Sequence, residues 1–140
     1  IQQFQSLESH LGEDGIFYLY GQIYNLGNPA TLIIDRKIRI YPCSPVEKGF
    51  ALNEKKKLAY FIAYYGNNIN EESLSIIKVD LLTDEIQPLR LYQHLGILVE
   101  RRSAKIILTS DDQVYIHPGF KQKQFCKVDF KDTISELTCY

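Results

Sequence analysis

One pattern recurs three times along this 140-residue chain: an apolar run that closes on Asp, a short turn, and a second, shorter apolar run. Thr31–Asp35 is followed by Ile38–Tyr41, Leu74–Asp80 by Ile86–Leu89, and Phe125–Asp129 by Ile134–Leu137. The three aspartates stand 45 and then 49 residues apart. The last two copies share Lys-Val-Asp, an apolar residue, a polar turn containing Thr, and an Ile that opens the return run. Each copy reads as a β-hairpin with its Asp near the turn. Upstream, Phe50–Glu54, the basic turn Lys55-Lys56-Lys57 and Leu58–Ile62 match Ile97–Glu100, a second basic turn at Arg101-Arg102, and Ile106–Leu108, at an offset of about 47 residues. The first block has the long run Ile16–Tyr20 but no short run before it. Four strands every 40 to 50 residues is the period of stacked or radial sheet repeats. The chain therefore divides into blocks of about 13–45, 46–92 and 93–140 within one all-β unit.

Periodicity adds one helix to this plan. Ile1, Phe4, Leu7 and Leu11 are spaced by three, three and four, with Gly12 placed as a C-cap, which predicts a short amphipathic N-terminal helix. Beyond Leu11 the runs are four to eight residues long and punctuated by Gly, Asn, Asp and Pro, the grammar of strands and turns. Leu58, Tyr60, Ile62 and Tyr64 alternate with Ala59, Phe61, Ala63 and Tyr65, so this strand has no polar side and must be covered on both faces. Pro88 and Arg90 place the Ile86 run at a sheet edge. Gln113–Ile116 falls between the strands expected second and third in the last block, and requires a bulged or additional strand there.

The Lys78-Val79-Asp80 and Lys127-Val128-Asp129 hairpins resemble the third-to-fourth strand hairpin of β-propeller repeats of the WD40-like and quinoprotein-like kinds, over residues 16 to 140. The chain has no Trp, so the signature Trp-Asp dipeptide is absent. The resemblance implies about three consecutive four-stranded blades, a partial β-propeller, with a β-sandwich or meander barrel as the competing architecture. Three blades do not close a ring, and the chain opens on Ile1 and contains no Met. We therefore expect a processed product or a segment of a larger protein or assembly, with remaining blades or another subunit completing the fold.

Function follows less directly. Apolar runs stay far below the roughly 18 residues that a membrane helix needs. A formal charge of −1 supplies no global field toward nucleic acid or anionic surfaces. Three cysteines, Cys43, Cys126 and Cys139, have no metal-ligand spacing and are expected as small buried thiols, with one pair able to bridge in an oxidising compartment. His10, His94 and His117 stand alone, and the acid pairs Glu71-Glu72, Asp84-Glu85 and Asp111-Asp112 fall in turns as solvated charges. No nucleophile, nucleotide-binding or cofactor motif is present, so no cofactor is expected. The recurring basic turns are the first candidate site, with the asparagine-rich loop Gly66–Glu72 a second: Lys55, Lys56, Lys57, Arg101, Arg102 and Lys105 are expected on one face as a patch for an acidic peptide, nucleic acid or another anion. As a propeller-like surface the chain is expected to be a non-enzymatic protein-interaction or scaffold module, with an intracellular setting favoured. A propeller enzyme with a central pocket is the competing class. It calls for polar residues at first-strand starts, where Phe50, Ala51, Ile97 and Leu98 stand instead. A small standalone barrel or sandwich gripping one protein is the third.

Overall fold

A computed structural model describes residues 3–24, 27–66, 73–91, 104–119, 124–130 and 135–140. They form three four-stranded antiparallel meanders, none of them closed. The first comprises β1 (Phe4–Leu11), β2 (Phe17–Ile23), β3 (Ala30–Ile34) and β4 (Lys37–Ile40); the second β5 (Cys43–Asn53), β6 (Leu58–Tyr65), β7 (Leu74–Asp80) and β8 (Ile86–Arg90). The third comprises β9 (Lys105–Leu108), β10 (Val114–His117), β11 (Cys126–Phe130) and β12 (Ser135–Cys139). In each sheet the strands lie side by side in chain order.

The repeated hairpins form the third and fourth strands of each sheet, with their Asp residues at or beside the turn. Two different turn chemistries use that Asp. Ile34 pairs with Lys37, leaving Asp35 and Arg36 as a two-residue loop with φ of 48° and 70°. Two left-handed residues in succession make the mirror-image turn whose twist matches the flanking strands. The Asp80 carboxylate instead accepts the amide of Leu82 at 2.9 Å, and its own amide donates to the Glu85 carbonyl. This folds the side chain into a wider loop.

The second sheet is the middle layer. Tyr60 and Ile62 of β6 pack with Val114, Ile116, Cys126 and Val128 of the third sheet, whereas Ala59, Phe61 and Ala63 pack with Tyr18, Tyr20, Ala30 and Leu32 of the first. The double apolar character of this strand is thus satisfied by a sheet on either side. Phe61, fully buried, lies 5.3 Å from the Tyr20 ring and 5.9 Å from that of Tyr41. The closest backbone approaches between sheets run through β5, which lies against β9 on one side and against β1 and β2 on the other. Pro88 sits in the edge strand β8.

Two expectations need correction. The N-terminal helix is the strand β1. Its register with β2 shifts between Ser6 and Glu8, so Leu7 is an extra, bulged residue packed toward the second sheet. Phe4 and Leu11 pair with Ile23 and Phe17 on the opposite face. The three-residue spacing therefore came from a bulge, not a helical stripe. An isolated helix this short is marginal, and pairing with β2 satisfies the same backbone groups. β1 also supplies the opening strand that the first block seemed to lack.

In the third block, Val114–His117 pairs with Lys105–Leu108 on one side and Cys126–Phe130 on the other, a separate strand between them as the Gln113–Ile116 run requires; Ile97–Glu100 lies outside the described residues. Finally, Cys126 and Cys139, directly opposite in the β11–β12 pair, are joined as a disulfide, and Cys43 alone remains a buried free thiol. Among the described residues no helix is long and apolar enough to cross a membrane.

Candidate functional site

Chain direction brings one type of turn from every sheet to the same end of the stack: Gly12–Ile16 between β1 and β2, Asn53–Leu58 between β5 and β6, and Leu108–Val114 between β9 and β10. Each is shaped locally. In the first, Gly12 donates to the Ile16 carbonyl at 2.8 Å, the Asp14 carboxylate accepts the Ile16 amide at 3.1 Å, and Gly15 takes φ of 82°. In the second, the Asn53 side chain accepts the Lys56 amide at 3.2 Å, and Lys57 adopts φ of 55°. In the third, the Thr109 hydroxyl accepts the Gln113 amide at 3.0 Å and donates to the Asp111 carboxylate.

The basic turn is flanked by acidic ones and bonded to both. Toward the first sheet, Lys57 Nζ lies 3.5 Å from Asp14 Oδ2 and 3.3 Å from the Tyr18 hydroxyl. Glu54 Oε1 meets His10 Nε2 at 2.9 Å and accepts the Glu13 amide at 3.2 Å. Toward the third sheet, Lys56 Nζ lies 3.2 Å from Asp112 Oδ2, and Asn53 Nδ2 donates to Asp112 Oδ1 at 2.9 Å. The ionisation of these groups reflects their neighbours. The Ile16 amide, helped by Lys57, holds the Asp14 carboxyl below its ordinary range, and bonds from Lys56 and Asn53 do the same for Asp112. The hydrogen bond with Tyr18 raises Lys57.

The β7–β8 turn reaches the same end, where the Leu81 amide donates to the Lys57 carbonyl. Arg39 of β4 spans from the first sheet to this turn, donating to the Leu81 carbonyl at 2.6 Å and to Asp84 Oδ1 at 3.0 Å. Burial, followed by the nearby Asp84 charge, pushes the Tyr41 phenol up to about 12. A cleft of about 190 Å³ opens beside these bridges between the second and third sheets. Tyr60 and Phe130 lie along it, with Lys78 Nζ 5.7 Å from the centre of the Phe130 ring.

This geometry redistributes the expected basic patch. Lys55 and Lys56 are exposed at the turn end, Lys57 is half-buried, and Lys56 and Lys57 each face an aspartate. Lys105 opens β9, at the other end of that strand from the turn that meets Lys56, and pairs across to His117. Arg101 and Arg102 lie outside the described residues, as do His94, Glu71 and Glu72. The turn of the third sheet that meets Lys56 is Thr109–Gln113, which carries Asp111 and Asp112. Sequence matching at a fixed offset missed Glu54, Asp14 and Asp112 as partners of the lysines. Counting strands back from Val128-Asp129 would have located the acidic turn. Among the described residues, no group of three or more His, Cys, Asp or Glu is placed to hold a metal ion. No family model, curated protein or solved structure matches this chain.

Proposed function

We propose that this chain is a non-enzymatic protein-interaction or scaffold module built from three consecutive propeller-like blades. The observation that carries the reading is the middle sheet, covered on both apolar faces by sheets of the same meander. Such stacking suits repeats that cannot bury their faces alone. Its product is a rigid end surface in which turns from three sheets are cross-braced. Because Lys56, Lys57 and Arg39 each face a carboxylate, that surface offers interleaved charges to a protein rather than a continuous positive field to nucleic acid.

A photo-cross-linking residue at position 55, with a second at position 117 as the control, tests this in extract from the source cells. The reading expects a discrete protein adduct at position 55 and none at 117. It also expects the purified chain to pass through immobilised heparin at low ionic strength. Retention on heparin, or cross-links to nucleic acid at position 55, would overturn the choice of partner. Discovery of a turnover reaction that survives masking of the turn end would overturn the module itself.

A further inference from the structure

Strand β12 is pinned at both ends of its ladder. It forms an edge of the third sheet and, among the described strands, pairs with β11 alone. The Phe130–Ser135 pair marks the hairpin end of that ladder, beside the cleft that Phe130 shares with Asp112. The disulfide sits at the opposite end, where Cys126 faces Cys139. Around it the hold is slight. The Phe125 carbonyl accepts the Tyr140 amide at 2.9 Å, and the two exposed rings lie 5.4 Å apart. The cysteines differ in access: Cys126 is fully buried in the core between the second and third sheets, whereas Cys139 packs at its margin and is partly exposed. Cys43 is buried on the other side of the second sheet, so the folded chain offers Cys126 no other thiol to pair with.

We propose that the Cys126–Cys139 bond is a reversible thiol latch on β12: a dithiol reductant opens it, and the strand then parts from β11 while the rest of the stack stays assembled. A thiolate of the reductant attacks Sγ of Cys139, the more exposed cysteine, and expels the Cys126 thiolate, which takes a proton from solvent. The second thiol of the reductant attacks the mixed disulfide and frees Cys139. Two electrons pass to the cysteine pair, and the reductant leaves as its own disulfide. With the bond made, a β12 that peels away stays tied to β11 at both ends and gains little freedom. Cutting it returns the closure entropy of a 13-residue separation to every state in which the two strands have parted, which raises the opened population about a hundredfold. β12 has one ladder to break, whereas β6, β7, β10 and β11 have two each, so it opens before they do.

Timed pulses of iodoacetamide, read at each cysteine by peptide mass spectrometry, test this, with far-UV circular dichroism confirming the fold. Cys43 is the internal clock for global opening, because β5 lies against strands of both neighbouring sheets. In the oxidised chain no site should be modified during the pulse. After dithiothreitol at neutral pH, Cys126 and Cys139 should be modified together, roughly tenfold or more faster than Cys43. Removing the reductant in air should restore the bond in unalkylated protein. Tyr140→Ser, which deletes the ring contact with Phe125, should speed Cys126 roughly threefold further without moving Cys43. A bond that dithiothreitol cannot open in the folded chain, Cys126 modified no faster than Cys43, Cys139 modified while Cys126 stays protected, a bond that does not re-form, or a Tyr140→Ser rate equal to the parent's overturns the proposal.

Discussion

Reducing the Cys126–Cys139 bond removes no atoms from the protein, so its effect isolates what the link does to the unfolded chain. The bridged residues are 13 apart. Closing a loop of that length costs the unfolded ensemble an entropy worth about 3 kcal/mol at 25 °C. With about 2.1 cal/mol/K of unfolding entropy per residue, a 140-residue chain loses about 0.3 kcal/mol per degree, so Tm should fall by roughly 10 °C. Thermal circular dichroism with and without a phosphine reductant measures the shift, and thiol counting in denaturant verifies the redox state. Cys43 supplies an internal control. Burial pushes its thiol up to about 12, so in the native oxidised protein it should resist alkylation at neutral pH. A fall of less than about 3 °C with full reduction proved would refute the loop-entropy reasoning, which predicts about 3 kcal/mol. Three free thiols before any reductant is added would refute the bond itself.

Two further outcomes follow from local geometry. A Cβ at Gly21 would sit 1.9 Å from the Gln5 carbonyl oxygen and 2.9 Å from Phe4, so Gly21→Ala should separate β1 from β2 and cost about 3 kcal/mol or more in a urea melt. Limited proteolysis should then cut within β1; an unchanged midpoint would count against that strand pairing. Stability should also decline in alkali. Burial raises Cys43 from 9.0 and Tyr41 from 10.0, each to about 12, and raises the fully buried Tyr20 well above its ordinary value. The folded chain holds these protons longer than the unfolded one. Their contribution is therefore complete below about pH 9 and is lost as pH rises toward 12, at up to about 1.4 kcal/mol per pH unit per group. Tyr20→Phe should flatten the decline. Since the Tyr20 hydroxyl has no hydrogen-bond partner among the described residues, it should also leave neutral-pH stability unchanged or raise it by about 1 kcal/mol. Equal stability at pH 9 and 11 would contradict this assignment.

The strand pattern was legible where chemistry repeats. Val-Asp hairpins, the two-sided run of β6 and Pro88 at an edge all follow from local rules about turns, alternation and missing donors. What escaped was register. The bulge at Leu7 altered the spacing of β1 into a helical rhythm, and nothing in six residues distinguishes the two before β2 is known to lie alongside. In the last block, matching Ile106–Leu108 to Leu58–Ile62 by offset directed attention to the basic turn before that strand, whereas the turn that meets Lys56 is the one after it, with Asp111 and Asp112. The disulfide was implicit in the last hairpin: once Phe130 faces Ser135, Cys126 must face Cys139. Loop length after Asp129 sets that register, and a single sequence leaves it open.

The bridges at the turn end have a role that their exposure conceals. Flat apolar layers can slide over one another with little change in buried area, so hydrophobic contact alone fixes cohesion but not alignment. His10 to Glu54, Lys57 to Asp14, Arg39 to Asp84 and Lys56 to Asp112 each join different sheets rather than neighbouring strands of one. They act as dowels between boards. Removing them would leave the layers stuck together and the melting temperature almost unmoved, while letting the sheets take up several offsets in place of one.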